Sequence, residues 1–576
     1  MNSTLELLLV NSYAPRQRVV SDTALENSLA ILRTYLESKG IMTEVIDDQR
    51  ITSLEKRVPS GCVRLLRAMV KLQLKTYHNK LLGRGLLLAA WPLHAYTLHC
   101  RHEYMQARIE QIVKEIKSKN IPLLGLKLWY GDAFKWSCDL ATAVRNHCPE
   151  TIIIVGGPQV KVYGNFVLRE PCFDLAIMGP GEEILAKLVN LRRQNHTRST
   201  FLDQVHTTFG GTLLKTGGFA GDKEELVQSL AIQTIPDYRD ADLEDKIHFH
   251  TIVDGVGCSW NSCNFCSHTR CTVPFTPRPV ADIITEMETM LQRGIAFFRF
   301  SSSETTIEHG RNIAEAILAR GLTIRYSMFI RAGKPSQEML TAYRLMIQAG
   351  LRAVFMGGET GHDDVNHVVM NKGVTKQDIV GTIATIRLAS DAAGLPCRIG
   401  LSLIYPCPLP PGVELNEVYN ANVALIDATL PDTVIVNPPG PFPETSWYRN
   451  PEKYGFTFAE GAAAFAQNFM RYEYSIYKPA ELWKDMGFAL NTMEGKALLN
   501  ETGKLRAYAT SLGIPTDISD EYLMMTEAIG LSSKADLLIF KQRTLIDIMS
   551  GSTDYTREIA AAINKASRQI AATNTL

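Results

Sequence analysis

Three thiols stand within nine residues: Cys258-Ser-Trp-Asn-Ser-Cys263-Asn-Phe-Cys266. They follow the run TIVDGVGC, whose apolar pattern predicts a strand, so the cysteines lie on the loop at its carboxyl end. Such a loop can wrap an iron–sulfur cubane. Three thiolates on a [4Fe–4S] cluster leave one iron without a protein ligand, and that iron can chelate the amino and carboxylate groups of a small molecule. A structural zinc site is the rival chemistry. It wants four ligands in pairs, and His268 with Cys271 would have to supply the fourth from a cramped loop. Buried, inert thiols are the third reading, against which stand the spacing and the strand-end position. Cys271 is read as a bystander.

The elements that must hold this loop form a βα rhythm. After TIVDGVGC come FFRFSSSE, TIRYSMFI, AVFMGGET, RIGLSLIYP and TVIVNPPG, with helical patterns such as ADIITEMETMLQRG and QEMLTAYRLMIQAG between them. Six such strands predict a partial (β/α)6 barrel over residues 250–450, with its site at the strand carboxyl ends. Residues 451–576 are rich in helix formers and aromatics, among them Tyr472, Tyr474, Tyr477 and Trp483, and read as a helical C-terminal region.

Upstream, LELLLVNSY, a helical pattern through SDTALENSLAILRTYLESKG, and MTEVID make a βαβ unit. Strand signals return at PLLGLKLWY, TIIIVGG and FDLAIMG. Residues 51–118, helical in pattern and basic, read as an insertion into a doubly wound, Rossmann-like parallel sheet spanning 1–200, with 201–249 as a linker. Ligands of such sheets sit outside the strand carboxyl ends. Here those ends read Asn11-Ser12-Tyr13, Trp129-Tyr130-Gly131-Asp132, Gly156-Gly157-Pro158 and Gly179-Pro180-Gly181-Glu182-Glu183. Ordinary tight βα turns would look the same.

The bulk composition bounds the partners. Lys plus Arg and Asp plus Glu each total 60, so the net charge is zero, which points away from nucleic acid and from an anionic membrane. A small molecule, or a peptide, is the expected partner. MNSTLELLLVNSYAPRQ lacks a secretory signal, which places the chain in the cytosol. The strongest apolar stretch, Leu86 to Leu98, is interrupted by Pro92 and His94 and falls short of the roughly 20 residues of a bilayer span, so it reads as a buried or insert helix. Eleven cysteines, an odd number and thinly spread outside the cluster, argue for reduced thiols rather than a disulfide framework.

The run VGCSWNSCNFCSH resembles the cluster loop of the radical S-adenosylmethionine superfamily. That likeness implies a [4Fe–4S] cluster on Cys258, Cys263 and Cys266 whose open iron takes S-adenosylmethionine. Four residues separate the first two cysteines, where the commonest family spacing has three. GGETGHDDVNHVVMNKGVT, Gly357 to Thr375, is similar to the family's fourth-strand segment, which implies that Glu359 contacts S-adenosylmethionine. Ser301, Ser303 and Glu304 stand where the family keeps small and acidic residues for the methionine amino group. Ser327, Arg331 and Ser402 are candidates on neighbouring strand ends. PGPFPETSWYRN resembles the sixth-strand exit.

Residues 1–200 look like the cobalamin-binding domain that precedes many of these barrels. The likeness implies corrinoid contacts from Asn11, Ser12, Trp129, Tyr130, Gly131, Asp132, Gly156, Gly157, Pro158, Gly179, Gly181 and Glu182. No Asp-x-His-x-x-Gly motif is present, so a histidine is not expected beneath the corrinoid, and Trp129 or Tyr130 would crowd that face instead.

The resemblance as a whole implies an enzyme that receives an electron from an external donor such as flavodoxin or ferredoxin. It would generate a 5′-deoxyadenosyl radical and methylate a carbon or phosphorus centre of a small natural-product intermediate. Ring contraction, cyclisation or transfer of another part of S-adenosylmethionine fit the same residues. A non-catalytic corrinoid or cluster sensor and a zinc hydrolase are the readings from other classes.

Overall fold

The structure, a computed structural model, describes residues 5–13, 23–75, 80–195, 197–208, 213–215, 218–219, 234–268, 275–473 and 483–574. Tyr474, Tyr477 and Cys271 lie outside these. The chain divides into two compact units, one of Met1–Ile247, Met470–Glu473 and Gln542–Ala560, the other of His248–Phe469, Tyr474–Lys541 and Ala561–Leu576.

The first unit is built on β1 (Leu7–Asn11), α1 (Asn27–Ser38), β2 (Thr43–Ile46), α2 (Ser60–Lys75), α3 (Lys80–Lys119), β3 (Leu123–Lys127), α4 (Asp132–His147), β4 (Ile152–Gly156), β5 (Leu175–Ile177), α5 (Glu182–Gln194), β6 (Leu213–Lys215) and β7 (Gly218–Phe219). The sheet order is β2-β1-β3-β4-β5-β6-β7. The first five strands run parallel, and β6 and β7 add on antiparallel. Residues covered on both faces explain why LLLVN, LLGLK and IIIVG read as continuous apolar runs rather than alternating ones. Leu7, Leu9, Leu123, Ile152, Ile154 and Leu175 meet Leu29, Leu36 and Leu188 in one core. Within 201–249, the described residues contribute the end of a helix, Arg198–Thr208, then β6, β7 and a short turn of helix at Asp240–Leu243.

α2 and α3 form the basic insertion and pack against each other. The Leu86–Leu98 stretch is helical, inside α3, but it is not buried: Leu88 is 77% and Trp91 72% exposed. Of the two readings, a buried or an insert helix, the second holds: the stretch belongs to the helix inserted between β2 and β3 and is largely exposed. No helix among the described residues is long and apolar enough to cross a membrane.

The second unit holds six parallel strands: β8 (His250–Ile252), β9 (Phe297–Phe300), β10 (Arg325–Ile330), β11 (Leu351–Glu359), β12 (Arg398–Ile404) and β13 (Thr433–Asn437), ordered β13-β12-β11-β10-β9-β8. Consecutive neighbours are joined by helices α6 (Val280–Gln292), α7 (Ile307–Ala319), α8 (Gln337–Gln348), α9 (Lys376–Ala393) and α10 (Leu415–Thr429). This is the open, partial barrel that the strand rhythm predicts. Three of the helices start on side-chain caps: Thr306 accepts from the His309 N–H, Ser336 from Met339, and Thr375 forms a capping box with Asp378.

The C-terminal region is mainly helical, with α11 (Gly495–Ser511), α12 (Asp520–Ala528), α13 (Lys534–Ser550) and α14 (Asp554–Ala571). It also contains a small antiparallel sheet, Phe456–Phe458, Phe488–Leu490 and Met493–Glu494, whose strands are too short to leave a periodic signal. α12 packs against β9 to β12, and its Asp520 accepts from Arg299 and Ser327.

Candidate functional site

In the second unit the cysteine loop is clasped at its base. Gly255–Val256 pairs antiparallel with Thr276–Pro277, so the chain that leaves at Gly257 returns to the same point. Beneath the clasp, buried Asp254 accepts from the Ser302 N–H (3.0 Å), the Ser302 hydroxyl (2.9 Å) and the Thr305 hydroxyl (2.8 Å). It thereby fixes the turn that carries Ser301, Ser303 and Glu304 against the loop.

The far side of the loop is tied to the segment after β11. Asn264 donates from its backbone to the Met370 carbonyl and from its side chain to Val369, and Asn371 donates back to the Ser262 carbonyl at 2.7 Å. The Trp260 indole donates to the Asn371 carbonyl at 2.6 Å. Its ring leaves no room for a side chain at Gly373, where an added Cβ would stand 2.3 Å from the indole and φ is +64°. Arg331 lies over the other part of the same ring, 4.7 Å from its centre, and donates to the Lys372 and Gly373 carbonyls.

The thiols sit among charges of both signs. The Cys258 thiol donates to Glu304 at 3.4 Å, and the Ser259 hydroxyl reaches both Glu304 oxygens at 3.0 and 2.9 Å. Burial pushes the Cys263 thiol up to about 12, opposed by Lys372 and Arg331. Burial also raises Cys266, opposed by the His268 N–H and by Lys372. Cys263 feels Cys266, and Cys266 feels Cys258, so the three thiols share one electrostatic neighbourhood. Burial alone would lower the Lys372 ammonium; Glu359, 2.8 Å away, outweighs it and holds it above its ordinary value.

Of the expected S-adenosylmethionine contacts, Ser301, Ser303, Glu304, Arg331 and Glu359 gather at strand exits around the loop. Ser303 shares a 2.6 Å hydrogen bond with His268, and Ser301 is exposed. Ser402 lies on β12, the neighbour of β11, and accepts from Asn437 of the adjacent β13 at 3.2 Å. Ser327 is fully buried, and its hydroxyl is committed to Asp520 at 2.7 Å, so it anchors α12 to β10.

In the first unit the strand order reverses between β1 and β3, which is the place where sheets of this kind take ligands, beyond the strand ends. Asn11 donates to Asp47 at 3.0 Å, which in turn pairs with Lys246. Tyr13 is buried under Arg57, whose guanidinium lies 4.0 Å over the ring and donates to the phenol oxygen. Two polar atoms here have no hydrogen-bond partner among the described residues although both are buried: the Ser12 hydroxyl and the Trp136 indole N–H.

The remaining candidates divide. Trp129 is 37% exposed and stacks obliquely on Tyr130. Gly131 and Asp132 are met by the segment Met470–Glu473: the Gly131 N–H donates to the Met470 carbonyl, and the Asp132 N–H to Glu473 at 2.9 Å. An added Cβ on Gly131 would collide with that Glu473 carboxylate. Gly156, Gly157 and Pro158 form the β4 exit, with Pro158 at the first position of a short helix. Gly179, Gly181 and Glu182 lead into α5, and burial pushes the Glu182 carboxyl up.

Two family matches fall on these two places. The B12 binding domain matches residues 71–189, and the Radical SAM superfamily matches residues 252–395. The chain is a radical SAM protein with a B12-binding domain. Its fold is similar along nearly its whole length to the radical S-adenosylmethionine methyltransferase TsrM from Kitasatospora setae, solved with tryptophan and a SAM analogue. The TM-score is 0.60 at 15% identity, over 96% of this chain and 99% of that one. TsrM solved with cobalamin and a [4Fe–4S] cluster gives 0.57 at 16% identity, over the same shares. OxsB, a cobalamin-dependent S-adenosylmethionine radical enzyme with aqua-cobalamin and S-adenosylmethionine bound, gives 0.54 at 14%, over 99% and 80%. No curated protein matches the sequence.

The cofactors of this radical SAM protein are therefore cobalamin, a [4Fe–4S] cluster and S-adenosylmethionine. The residues present fit them. A clasped loop with three neighbouring thiols supplies the donor set, and Lys372 and Arg331 supply positive charge for thiolates. Among the described residues no three His, Cys, Asp or Glu side chains converge on a single metal-ion position. In a cubane the three cysteines bind three different irons, so they need not converge. In the first unit, the unpartnered Trp136 N–H, inside the matched B12-binding segment, and the Ser12 hydroxyl, which precedes it, are groups that a polar ligand would satisfy.

Sequence reasoning missed Asp254, Ser259, Asn264, Lys372, Arg57 and Trp136. Asp254 and Ser259 carried a usable signal, since Asp254 precedes the cysteine run on its own strand exit and Ser259 lies within it. Lys372 lies within the quoted Gly357–Thr375 segment but reveals its role only through its 2.8 Å pairing with Glu359.

Proposed function

We propose that this radical SAM protein is a cobalamin-dependent methyltransferase that acts on an unactivated carbon, or a phosphorus centre, of a small natural-product intermediate. The observation that carries the reading is the Glu304 carboxylate beside Cys258 and Ser259, at the cluster loop of a chain whose other unit presents unpartnered polar groups at its β1/β3 crevice. The likeness to TsrM, a methyltransferase by description, over both whole chains supports the methyl outcome.

When bound, the cluster and S-adenosylmethionine supply a radical able to take a substrate hydrogen, and cobalamin supplies a methyl group. The chain's residues have definite parts to play. Cys258, Cys263 and Cys266 hold iron as thiolates. Once Cys258 gives up its proton it no longer donates to Glu304, and that carboxylate is released to accept from an ammonium group, with the Ser259 hydroxyl holding its orientation. Ser301, Ser303, Arg331, Glu359 and Ser402 surround the rest of the S-adenosylmethionine position. Ser12 and Trp136 donate to the corrinoid, with Asn11 and the β4 and β5 exits around it. An acidic flavodoxin- or ferredoxin-like protein delivers the electron.

The test is anaerobic purification with iron, sulfide and hydroxocobalamin, followed by incubation with methyl-deuterated S-adenosylmethionine and a low-potential reductant. Four irons and one cobalt per chain, with deuterated methyl carried to the corrinoid and then to an added acceptor, is the expected result. Deoxyadenosine formed without any label on the corrinoid would replace methylation with a non-methyl outcome such as cyclisation or ring contraction.

A further inference from the structure

Whole-chain neutrality conceals a strong local asymmetry. Residues 56–102 contain nine Lys and Arg and no Asp or Glu. This stretch is the helical insertion, α2 and α3, and the structure shows which way it faces. α2 buries Leu66 and Val70 and turns Leu65 and Leu72 outward, 55% and 45% exposed, with Arg64, Lys71 and Lys75 exposed beside them. On α3, residues 85–100 carry no Asp, Glu, Lys or Arg at all. Thr97 is buried and Leu86, Ala90, Leu93, Leu98 and Cys100 are half-buried, whereas Leu88, Trp91 and Tyr96 stand out, 77%, 72% and 50% exposed.

We infer that the insertion is a membrane-surface docking element, which lays the apolar arc of α3 into the headgroup region of an anionic bilayer while the cations of α2 meet lipid phosphates. Four features select lipid over another occupant. The exposed arc is wide, whereas a helix that pairs with a second copy needs a narrow apolar stripe. The exposed aromatics are Trp and Tyr, whose rings carry a polar atom suited to the boundary between water and hydrocarbon. The uncharged run is too short to span but long enough to lie in the interface. The charge is of one sign and matches anionic headgroups. A neighbouring groove of about 650 Å³ is lined by Arg64, Arg67 and Lys71 but also by Glu55 and Asp554, the latter paired with Arg67, so the exposed cations Arg64, Lys71 and Lys75 are the ones that meet lipid phosphates. This inference stands apart from the methyltransferase reading and holds whatever reaction the chain performs.

The test is flotation of the full-length protein with vesicles of phosphatidylglycerol and phosphatidylcholine in equal parts, against pure phosphatidylcholine. The expected result is flotation with the mixed vesicles only, weakened by added salt. Trp91→Glu is expected to reduce the bound fraction about tenfold, and Arg64→Glu with Lys71→Glu to reduce it comparably. Leu318→Glu, an exposed leucine elsewhere, leaves it unchanged. Because these side chains are exposed, far-ultraviolet circular dichroism is expected to match the wild type. Three results overturn the inference: no flotation of the wild type, flotation indifferent to Trp91→Glu, or a concentration-dependent dimer that Trp91→Glu abolishes without any vesicle binding.

Discussion

The Glu304 carboxylate lies 3.4 Å from the Cys258 thiol and within 3.0 Å of the Ser259 hydroxyl, at the turn that Asp254 fixes from below. A carboxylate placed against a cluster ligand is poorly placed to help the cluster, because two negative groups in contact repel. It is well placed to receive a cation bound next to the cluster.

Glu304→Gln therefore separates the two roles. Iron and sulfide content after reconstitution is expected to match the wild type. Affinity for S-adenosylmethionine, measured by equilibrium dialysis, is expected to fall about tenfold to a hundredfold, the scale of one hydrogen bond to a charged group. Cys263→Ala shows the opposite pattern, with loss of the four-iron absorption. Equal loss of iron in both variants would move Glu304 from the ligand to the loop.

Lys372 and Glu359 form a buried pair at 2.8 Å, and Glu359 adopts φ +60° at the end of β11. Removing one partner strands the other. Lys372→Met is expected to destabilise the apoprotein by about 3–5 kcal/mol, read from chemical denaturation, while Lys372→Met with Glu359→Gln recovers most of that loss. A double variant no more stable than the single one would mean that Lys372 contributes through its place over the Phe265 ring rather than through its pairing with Glu359.

The parts of the fold that rest on local pattern were readable from the chain alone. Apolar runs in a sheet covered on both faces mark β1, β3 and β4, and the cysteine spacing marks the cluster loop. What stayed hidden depends on partners far apart in sequence. Asp254 and Ser302 are 48 residues apart, Arg57 and Tyr13 are 44, and Ser327 and Asp520 are 193. Ser327 looked like a ligand contact because it lies on a barrel strand; only α12, folding back onto that strand, shows that its hydroxyl is already used. Whether the apolar stretch of α3 is a buried or an insert helix stays open in the sequence for a related reason. Hydrophobicity alone does not say whether a helix is covered, and Leu88 and Trp91 are not.

Ser12 tests the corrinoid crevice without touching the cluster. Its hydroxyl is buried with no hydrogen-bond partner among the described residues, which is unfavourable in the empty protein. Ser12→Ala is expected to leave apoprotein stability equal or slightly higher, while corrinoid retention through gel filtration weakens about twofold to tenfold, the scale of one neutral hydrogen bond. A loss of stability with unchanged corrinoid retention would make Ser12 a packing residue.

Glu286 gives the second unit a defined acid sensitivity. It sits on α6, with His250 of β8 at 2.7 Å and Arg278 beside it, and all three side chains are buried. Burial alone would raise its carboxyl; His250 and Arg278 outweigh that and hold it below its ordinary value of 4.5. A carboxylate with a depressed folded value contributes stability that is fully present above the unfolded value and is lost as pH falls through the folded one. The contribution of Glu286, read as the difference between wild type and Glu286→Gln, is therefore expected to be flat from neutral pH down to about 5 and to shrink below about 4.5. Glu286→Gln is expected to lower stability by about 3–5 kcal/mol near neutral pH, because it leaves Arg278 without its counter-charge. The gap between the two proteins should then narrow as pH falls, since protonation makes the wild-type carboxyl neutral as well. Parallel curves for wild type and variant across that range would show that folding leaves the Glu286 carboxyl unshifted and that the triad acts without a net charge preference.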